Sequence, residues 1–577
     1  MTPDLTPPYS TPGRGQRRQD LTPPVVRWFK PLFYGIFLGI YASLLTTLGV
    51  FVIRWSWPPS VVLFGVLSVL FLGGAYGLTR QITALIIGAR PLPQLSALSR
   101  SPRVAMLYTT MNDVVPECVR AIRSIYPVDV YILDDSSDPN ARATVDRLVE
   151  GQSFTVIRRG ARRGFKAGAI NDWLKNHGGG YDYFVLLDAD SYLPPDWVGE
   201  ALRFAEHPDN KRVAIFQGLI NIWNLDSEFV QVLAPMARVG QFVWEQTVAN
   251  ALDAVFCYGH NVLVRTSAVR EIGGFVEGYV SEDFATAVAL SEKNWHSRFI
   301  PLHTYEATPE NVRGFLKRQR KWTRGAMEFF GFARRSTIGP GQKFLLLQTP
   351  IGHVANLLIP VGMFLTVFGY ASTPAAAAAF LTSLLHNPFA TIWSVLIFRY
   401  LILLGILGSI PSIVVLLKCR IGWSTYWRHR FLSSATSVLM LPYEFSTMFR
   451  YLLTPFQSIP VTPKTEAPLA AGEVLYLARY SLLLFGLLAI GIATVNPLAG
   501  LFNATWLLPM LLAPAVVYRY GGPAIAISGS NDTLPREWME PSAWIRSPRG
   551  VHTSLLRIRE GLFRSPTPGR FPIAPVA

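Results

Sequence analysis

Long apolar runs toward both ends of the chain enclose a polar block with a much shorter hydrophobic rhythm. Residues 31–53 and 57–79 contain no charged side chain. After the block, apolar runs return at 344–370, broken only by His353 and two prolines, and at 400–417, which is uncharged. Two more follow at 474–495, with the single charge Arg479, and at 498–518, with none. Each run is long enough to cross a hydrocarbon core of ~30 Å as a helix. The pattern predicts six spans, two before the polar block and four after it. One or two of the runs could instead be buried or interfacial helices.

From Arg103 the rhythm shortens to that of alternating strands and helices. "RVAMLYTT", "VDVYILDD", "FTVIRR", "YFVLLDAD" and "RVAIFQG" read as strands. "PECVRAIRSIY", "ATVDRLVEG", "FKAGAINDWLKNH" and "PDWVGEALRFAEH" read as helices between them. Alternating β and α segments predict a mostly parallel sheet with helices on both faces, and ligands at the carboxyl ends of its strands.

Composition agrees with a membrane protein. Half of the 577 residues are hydrophobic, 16% are charged, and the mean hydropathy is +0.28. That is too apolar for an ordinary soluble enzyme. The net charge of +16 is distributed unevenly. Arg14, Arg17, Arg18, Arg27 and Lys30 precede the first run. Lys418, Arg420, Arg428, Arg430, Arg450 and Lys464 lie between the fourth and fifth, and Arg519 follows the sixth. The positive-inside rule then puts both termini and the polar block in the cytoplasm of a multi-pass, plasma-membrane-type protein. Because topology accounts for much of the positive charge, no nucleic-acid partner is expected. Cys118, Cys257 and Cys419 are too scattered for a disulfide framework or a metal motif.

The chain divides into a disordered tail (1–30), two spans (31–90), a catalytic domain (101–335), and an interfacial helix with two spans (336–420). A cytoplasmic interfacial helix with a loop (421–473), two further spans (474–520) and a second tail (521–577) complete it.

Two predicted strands end in acids, Asp134-Asp135 after "VYIL" and Asp188/Asp190 after "VLL". Positions i and i+2 on a strand face one side, so Asp188 and Asp190 can approach one hard cation. An Asp-rich turn satisfying its own backbone has the same appearance. Lys166 sits among Gly164, Ala167 and Gly168 at a helix start. There the small residues admit close backbone approach, and the ammonium and helix terminus favour a phosphate. Together these groups describe a nucleotide-diphosphate pocket that needs Mg²⁺ or Mn²⁺. Glu282-Asp283 open a later helix, where capping by Ser281 would also explain them. Arg318, Arg320, Lys321 and Arg324 surround Trp322, a pattern shared with basic interfacial helices.

In chain order, "TTMND", "DDSSD", "KAGAIN", "DAD", "FCYGHN", "SED" and "RQRKW" resemble the motif series of inverting family-2 glycosyltransferases with a GT-A fold. The likeness is to membrane-embedded synthases of the bacterial cellulose synthase type. "IPVTPK" (459–464) resembles that group's gating loop. The resemblance implies that a GT-A domain is inserted between transmembrane helices. Thr110 and Asp135 (or Asp134) would contact the nucleoside, Lys166 the nucleotide, and Asp188 and Asp190 the donor and metal. Asp283 would be the general base. His260, Glu282, Arg318, Gln319, Arg320, Lys321 and Trp322 would bracket the acceptor and diphosphate. Val461, Thr462 and Lys464 would lie on the closing loop.

The sequence also departs from the family pattern. The family's Gln-x-x-Arg-Trp is occupied by Arg318-Gln319-Arg320-Lys321-Trp322, so either Lys321 acts as a point charge or Arg320 replaces the missing arginine. His260 and Asn261 stand where cellulose synthases carry smaller residues, and Ile459 replaces a Phe. No PilZ-type module for cyclic-di-GMP is recognised. The expected activity is polymerisation of a UDP-sugar, UDP-glucose in the first instance, into a β-glycan that is moved across the membrane. A non-processive transferase acting on a lipid-linked or short glycan acceptor is the alternative, and a non-catalytic transporter or scaffold a more distant one. Expected partners are the UDP-sugar, the growing glycan or lipid-linked acceptor, and membrane lipids. A homo-oligomer or an outer export partner is compatible with this scheme.

Overall fold

The structure, a computed structural model, describes residues 25–522 apart from 89–94, 96, 226, 370–373, 395 and 455–468. The predicted tails up to residue 24 and beyond residue 522, and the loop bearing Val461, Thr462 and Lys464, lie outside the described residues.

The polar block folds around one sheet. Its strands are β1 (Val104–Thr110), β2 (Asp129–Asp134), β3 (Phe154–Ile157), β4 (Tyr183–Leu187), β5 (Ser191–Tyr192), β6 (Val213–Ile222), β7 (Val262–Arg265) and β8 (His296–Glu306). They lie in the order β3-β2-β1-β4-β7-β6-β8-β5. The expectation of a mostly parallel sheet needs correction. β3-β2-β1-β4 is parallel, as is β6-β8, but β7 runs antiparallel to both β4 and β6, and β5 antiparallel to β8. β7 is only four residues long, too short for alternation to reveal it.

Strand periodicity divides the core into two layers. Val104, Met106 and Tyr108 of β1, with Tyr183, Val185 and Leu187 of β4, pack under the helix Trp197–Ala205. Ala105, Leu107, Phe184 and Leu186 face the helix Phe165–Asn176 on the other side. Burial on both faces explains why these strands read as unbroken apolar runs. The predicted helix "PECVRAIRSIY" is confined to Pro116–Arg120.

Among the described residues, four helices are long and apolar enough to cross a membrane: Trp28–Phe51, Pro58–Ile87, Pro340–Phe368 and Ala471–Thr494. The other two predicted runs fall on the helices Leu396–Lys418 and Ala499–Tyr520. Between these lies the helix Trp423–Leu453, which packs on the basic helix Val312–Arg335 through Leu316, Leu432, Ala435 and Leu439. Polar side chains join the same two regions. Glu444 accepts a hydrogen bond from Asn356 and lies 2.8 Å from His353 Nδ1. His353 Nδ1 in turn lies 3.3 Å from the hydroxyl of Thr323, on the basic helix. The catalytic block is thereby tied to the apolar helices through its basic helix.

Trp173 anchors the helix Phe165–Asn176 to the sheet, packing on Tyr131, Tyr181 and Phe184 while its indole N–H has no partner. Trp173→Ala is expected to destabilise the domain by about 3–5 kcal/mol. Trp173→Phe, which keeps most of the packing and removes the orphaned donor, should cost less than half as much. Thermal unfolding of the purified protein measures both.

Candidate active site

Three adjacent parallel strands deliver polar groups to one edge of the sheet. Thr110 pairs in register with Asp134, and Tyr108 with Leu187, so the ends of β1, β2 and β4 lie side by side. Asp134 is buried; it accepts hydrogen bonds from Ser136 N at 3.0 Å and Arg158 Nε at 2.7 Å. Asp135 receives the Arg159 guanidinium, with Nε at 3.0 Å, and Arg162 stands 3.9 Å away. The Thr110 hydroxyl donates to Asp113 at 3.1 Å, and Met111 N donates to the same carboxylate at 2.8 Å. Arg158 and Arg159 were not singled out from the sequence; "IRR" after an apolar strand was the available signal.

The strand argument for Asp188 and Asp190 needs correction. β4 ends at Leu187, and Asp188–Asp190 form a turn in which Ser191 N donates to Asp188 O at 3.0 Å. Alternation therefore does not bring the two acids together. The turn is fastened to the end of β8, where Ala307 N donates to Asp190 O at 3.1 Å and Ser191 pairs with Glu306.

Lys166 occupies the centre. Its ammonium donates to Asp188 Oδ1 and, at 2.8 Å, to the carbonyl of Gly259. The small residues around it serve the chain's own packing. A Cβ on Gly168 would lie 2.0 Å from the backbone oxygen of Arg163, and Gly164 takes φ +68° beneath Glu277. Gly259, at φ +83°, brings its α-carbon against Asp283, where a Cβ would lie 2.9 Å from Oδ2. Lys166, Asp188, Gly259 and Asp283 thus form one contiguous group.

Charge explains the protonation states. Burial alone would raise Asp188, but the Lys166 ammonium, with His260 and Lys321, holds it well below the usual carboxylate range. Burial would likewise lower Lys166, and Asp188, Glu282 and Asp283 outweigh it, so its pKa rises. Glu282 and Asp283 respond oppositely. Burial and mutual repulsion push Glu282 up to about 7, and burial raises Asp283 above its ordinary value. Asp283 Oδ1 accepts from Phe284 N at 2.8 Å.

Ser281 does not cap the acid-bearing helix; its hydroxyl donates at 2.7 Å to Glu328 on the basic helix. The backbone N–H groups of Val280 and Ser281 donate to the same buried carboxylate at 3.0 Å. Glu328 therefore sets the turn that presents Glu282 and Asp283. It lies four residues beyond Arg324, outside the motifs that drew attention in the sequence.

On the basic helix, Lys321 faces the acids, acting on Asp188, Glu282 and Asp283. Arg320 acts instead on Tyr443 of the neighbouring helix. Gln319 accepts from the Thr323 hydroxyl through its backbone oxygen. Arg318 lies 4.7 Å over the ring of Trp322, which is 52% exposed. His260 Nε2 is 3.2 Å from Glu306 Oε2. Glu306, missed in the sequence, ends a strand that contains Pro301, which weakens a strand reading.

Among the described residues, no group of three His, Cys, Asp or Glu side chains forms a ready-made metal cage. Asp188 and Asp190 are hard oxygen donors on one side of the site, and an ammonium already rests on Asp188. They fit a divalent cation whose remaining ligands come from a bound diphosphate.

Residues 183–462 match the family model described as Glycosyl transferase family group 2. Over that stretch, which runs from β4 through β8 and the basic helix Val312–Arg335, the chain is similar to family-2 glycosyltransferases. Among curated relatives, the Glucans biosynthesis glucosyltransferase H of Rhodopseudomonas palustris is 26% identical over 263 residues, covering 40% of this chain and 35% of that protein. The Glucomannan 4-beta-mannosyltransferase 1 of Oryza sativa subsp. japonica is 27% identical over 262 residues, covering 41% of this chain and 49% of the relative. The matches span between about a third and a half of these relatives' lengths. Among solved structures, the mannosyltransferase PcManGT from Pyrobaculum calidifontis superposes with a TM-score of 0.42 at 19% identity, over 60% of this chain and 98% of that one.

Glu328→Ala removes the acceptor of three converging donors and is expected to cost about 3–5 kcal/mol of stability. Glu328→Gln should retain a substantial part. Chemical unfolding of the two variants checks the direction and the order.

Proposed function

We propose that this protein is an inverting, membrane-embedded hexosyltransferase that moves a sugar from a UDP-sugar, UDP-glucose in the first instance, onto the end of a growing β-glycan. The observation that carries this reading is the contiguous group Lys166–Asp188–Gly259–Asp283. It sets an anion-binding ammonium beside a half-buried carboxylate with a raised proton affinity.

Thr110 and Asp135, with Asp134 behind them, border the nucleoside, and Lys166 and Lys321 meet the diphosphate. Asp188 and Asp190 hold Mg²⁺ or Mn²⁺, which when bound neutralises charge on the leaving diphosphate. Asp283 accepts the proton of the attacking acceptor hydroxyl, and burial, which raises its pKa, makes it a stronger base than an ordinary carboxylate. Glu282 beside it is pushed up to about 7, so near neutrality it takes up part of the negative charge as a proton. Trp322 offers an aromatic face to the acceptor.

The apolar helices on both sides of the domain, and the basic segments that flank them, favour a cytoplasmic site from which a polymer is passed across the membrane. A single-addition transferase acting on a lipid-linked acceptor would use the same chemistry. Product length separates the two.

Purified full-length protein with Mg²⁺ or Mn²⁺ should release UDP from at least one of a panel of UDP-sugars and yield sugar-extended product; release from none of them contradicts the proposal. Asp283→Asn should lower turnover about 10²–10⁴-fold while UDP affinity stays within a few-fold. The sign of the pH dependence follows from the raised pKa. Asp283 takes up its proton at a higher pH than an ordinary carboxyl, so turnover should fall on the acid side with a midpoint above about 4. A pH–rate profile at saturating donor measures it.

A further inference from the structure

Glu306 has no role in the chemistry described above, yet it stands beside it. It ends β8 opposite Ser191, the residue that follows Asp190. Its side chain is 23% exposed and lies 3.2 Å from His260 Nε2, and the His260 ring is 16% exposed. Around this pair, several buried polar atoms have no hydrogen-bond partner: His260 Nδ1, Ser191 Oγ, Asn261 Oδ1 and Arg318 Nε. Asn261 is tied to the same strand end, since its Nδ2 donates to Tyr305 O at 3.3 Å. Arg318 acts electrostatically on both Glu306 and Asp190 and rests on the face of Trp322.

Buried polar atoms are nearly always satisfied by protein, water or a ligand; Ser191 and Asn261 are sealed from the surface, whereas His260 and Arg318 are half-buried, where a ligand can supply the missing partners. The cluster specifies that ligand's chemistry. An anion is disfavoured, because Glu306 and Asp190 already place two carboxylates there. An apolar group would leave the orphaned atoms unpaired at a cost of about 1–3 kcal/mol each. Hydroxyl groups both donate and accept, and can answer a carboxylate, an imidazole nitrogen and a guanidinium together. The half-exposed Trp322, joined to the cluster through Arg318, adds a flat apolar surface of the kind a pyranose ring covers.

We propose that Glu306, with His260 as its partner, binds hydroxyl groups of the acceptor sugar and so fixes which acceptor ring is presented to Asp283. The inference rests on the transferase reading and deepens it. Donor and acceptor both carry sugar hydroxyls. The acceptor is favoured because Arg318 connects Glu306 to Trp322, whereas Lys166 holds Asp188 on the diphosphate side.

The test measures equilibrium binding of β-linked glucose and mannose tetrasaccharides to the full-length protein in detergent with saturating UDP, by calorimetry. UDP affinity is measured separately. Glu306→Ala should weaken tetrasaccharide binding roughly tenfold or more and leave UDP affinity within about twofold. Glu306→Gln, which still offers an oxygen acceptor, should recover part of the loss, and His260→Ala should fall in the same direction. In turnover assays, Glu306→Ala should raise the acceptor KM and divert UDP-glucose toward hydrolysis. Equal loss of UDP-sugar and tetrasaccharide binding would assign Glu306 to the donor and overturn the inference. Unchanged tetrasaccharide binding in a folded Glu306→Ala protein, or no binding of any tetrasaccharide by the wild type, would also overturn it. Wild-type binding that depends on Glu306, with no turnover of any UDP-sugar, would sink the proposed activity and leave this subsite standing.

Discussion

The site depends on one half-buried ammonium. Lys166 lies against Asp188 and the Gly259 carbonyl, and Gly259 packs directly on Asp283. Removing charges from water is costly, and the cost is recovered only when opposite charges and hydrogen bonds meet in good geometry. Here one cation serves three acids unequally. Asp188 gains most and stays ionised, while Glu282 and Asp283, left with the weaker share, hold protons more tightly. One cation thus separates an acid suited to binding charge from an acid suited to taking a proton. The arrangement follows the general rule that environments which drive pKa values apart define acid and base roles.

The scaffold protects this arrangement from several directions. The helix carrying Lys166 is fixed by Trp173 in the core beneath the sheet. The turn carrying Glu282 and Asp283 is held by Glu328, whose helix also carries Trp322 and Lys321. That helix contacts the apolar helices through Thr323, His353 and Glu444. Displacement of the membrane-side helices therefore has a direct mechanical path to the acids, with no intervening loop.

Much of this was legible in the sequence, for identifiable reasons. Strands buried on both faces are continuous apolar runs, so β1, β4 and β6 could be read, and shorter apolar runs marked the more exposed β2 and β3; the ends of β2 and β4 located the acid pairs, and a helix start located Lys166. β7 was too short, and β8 carries Pro301 among alternating polar residues, which hid both the antiparallel insertion and Glu306. Asp188 and Asp190 follow the strand β4 directly, but they lie on a turn, where the alternation that would pair them on one face does not operate. Small residues near Lys166 reflected close self-packing, as Gly168 against Arg163 shows. Glu328 could not be found by local pattern, since the hydrogen bonds by which it holds the turn come from residues 47 or more positions away.

The central claim, that Lys166 makes this cluster a diphosphate site, is tested most directly by titrating UDP with Mn²⁺ into the full-length protein and its Lys166→Met variant. The account predicts a loss of UDP affinity of roughly tenfold or more in the variant, since a charge-assisted contact is removed from a buried site. Equal affinities for UDP in two folded proteins would contradict it.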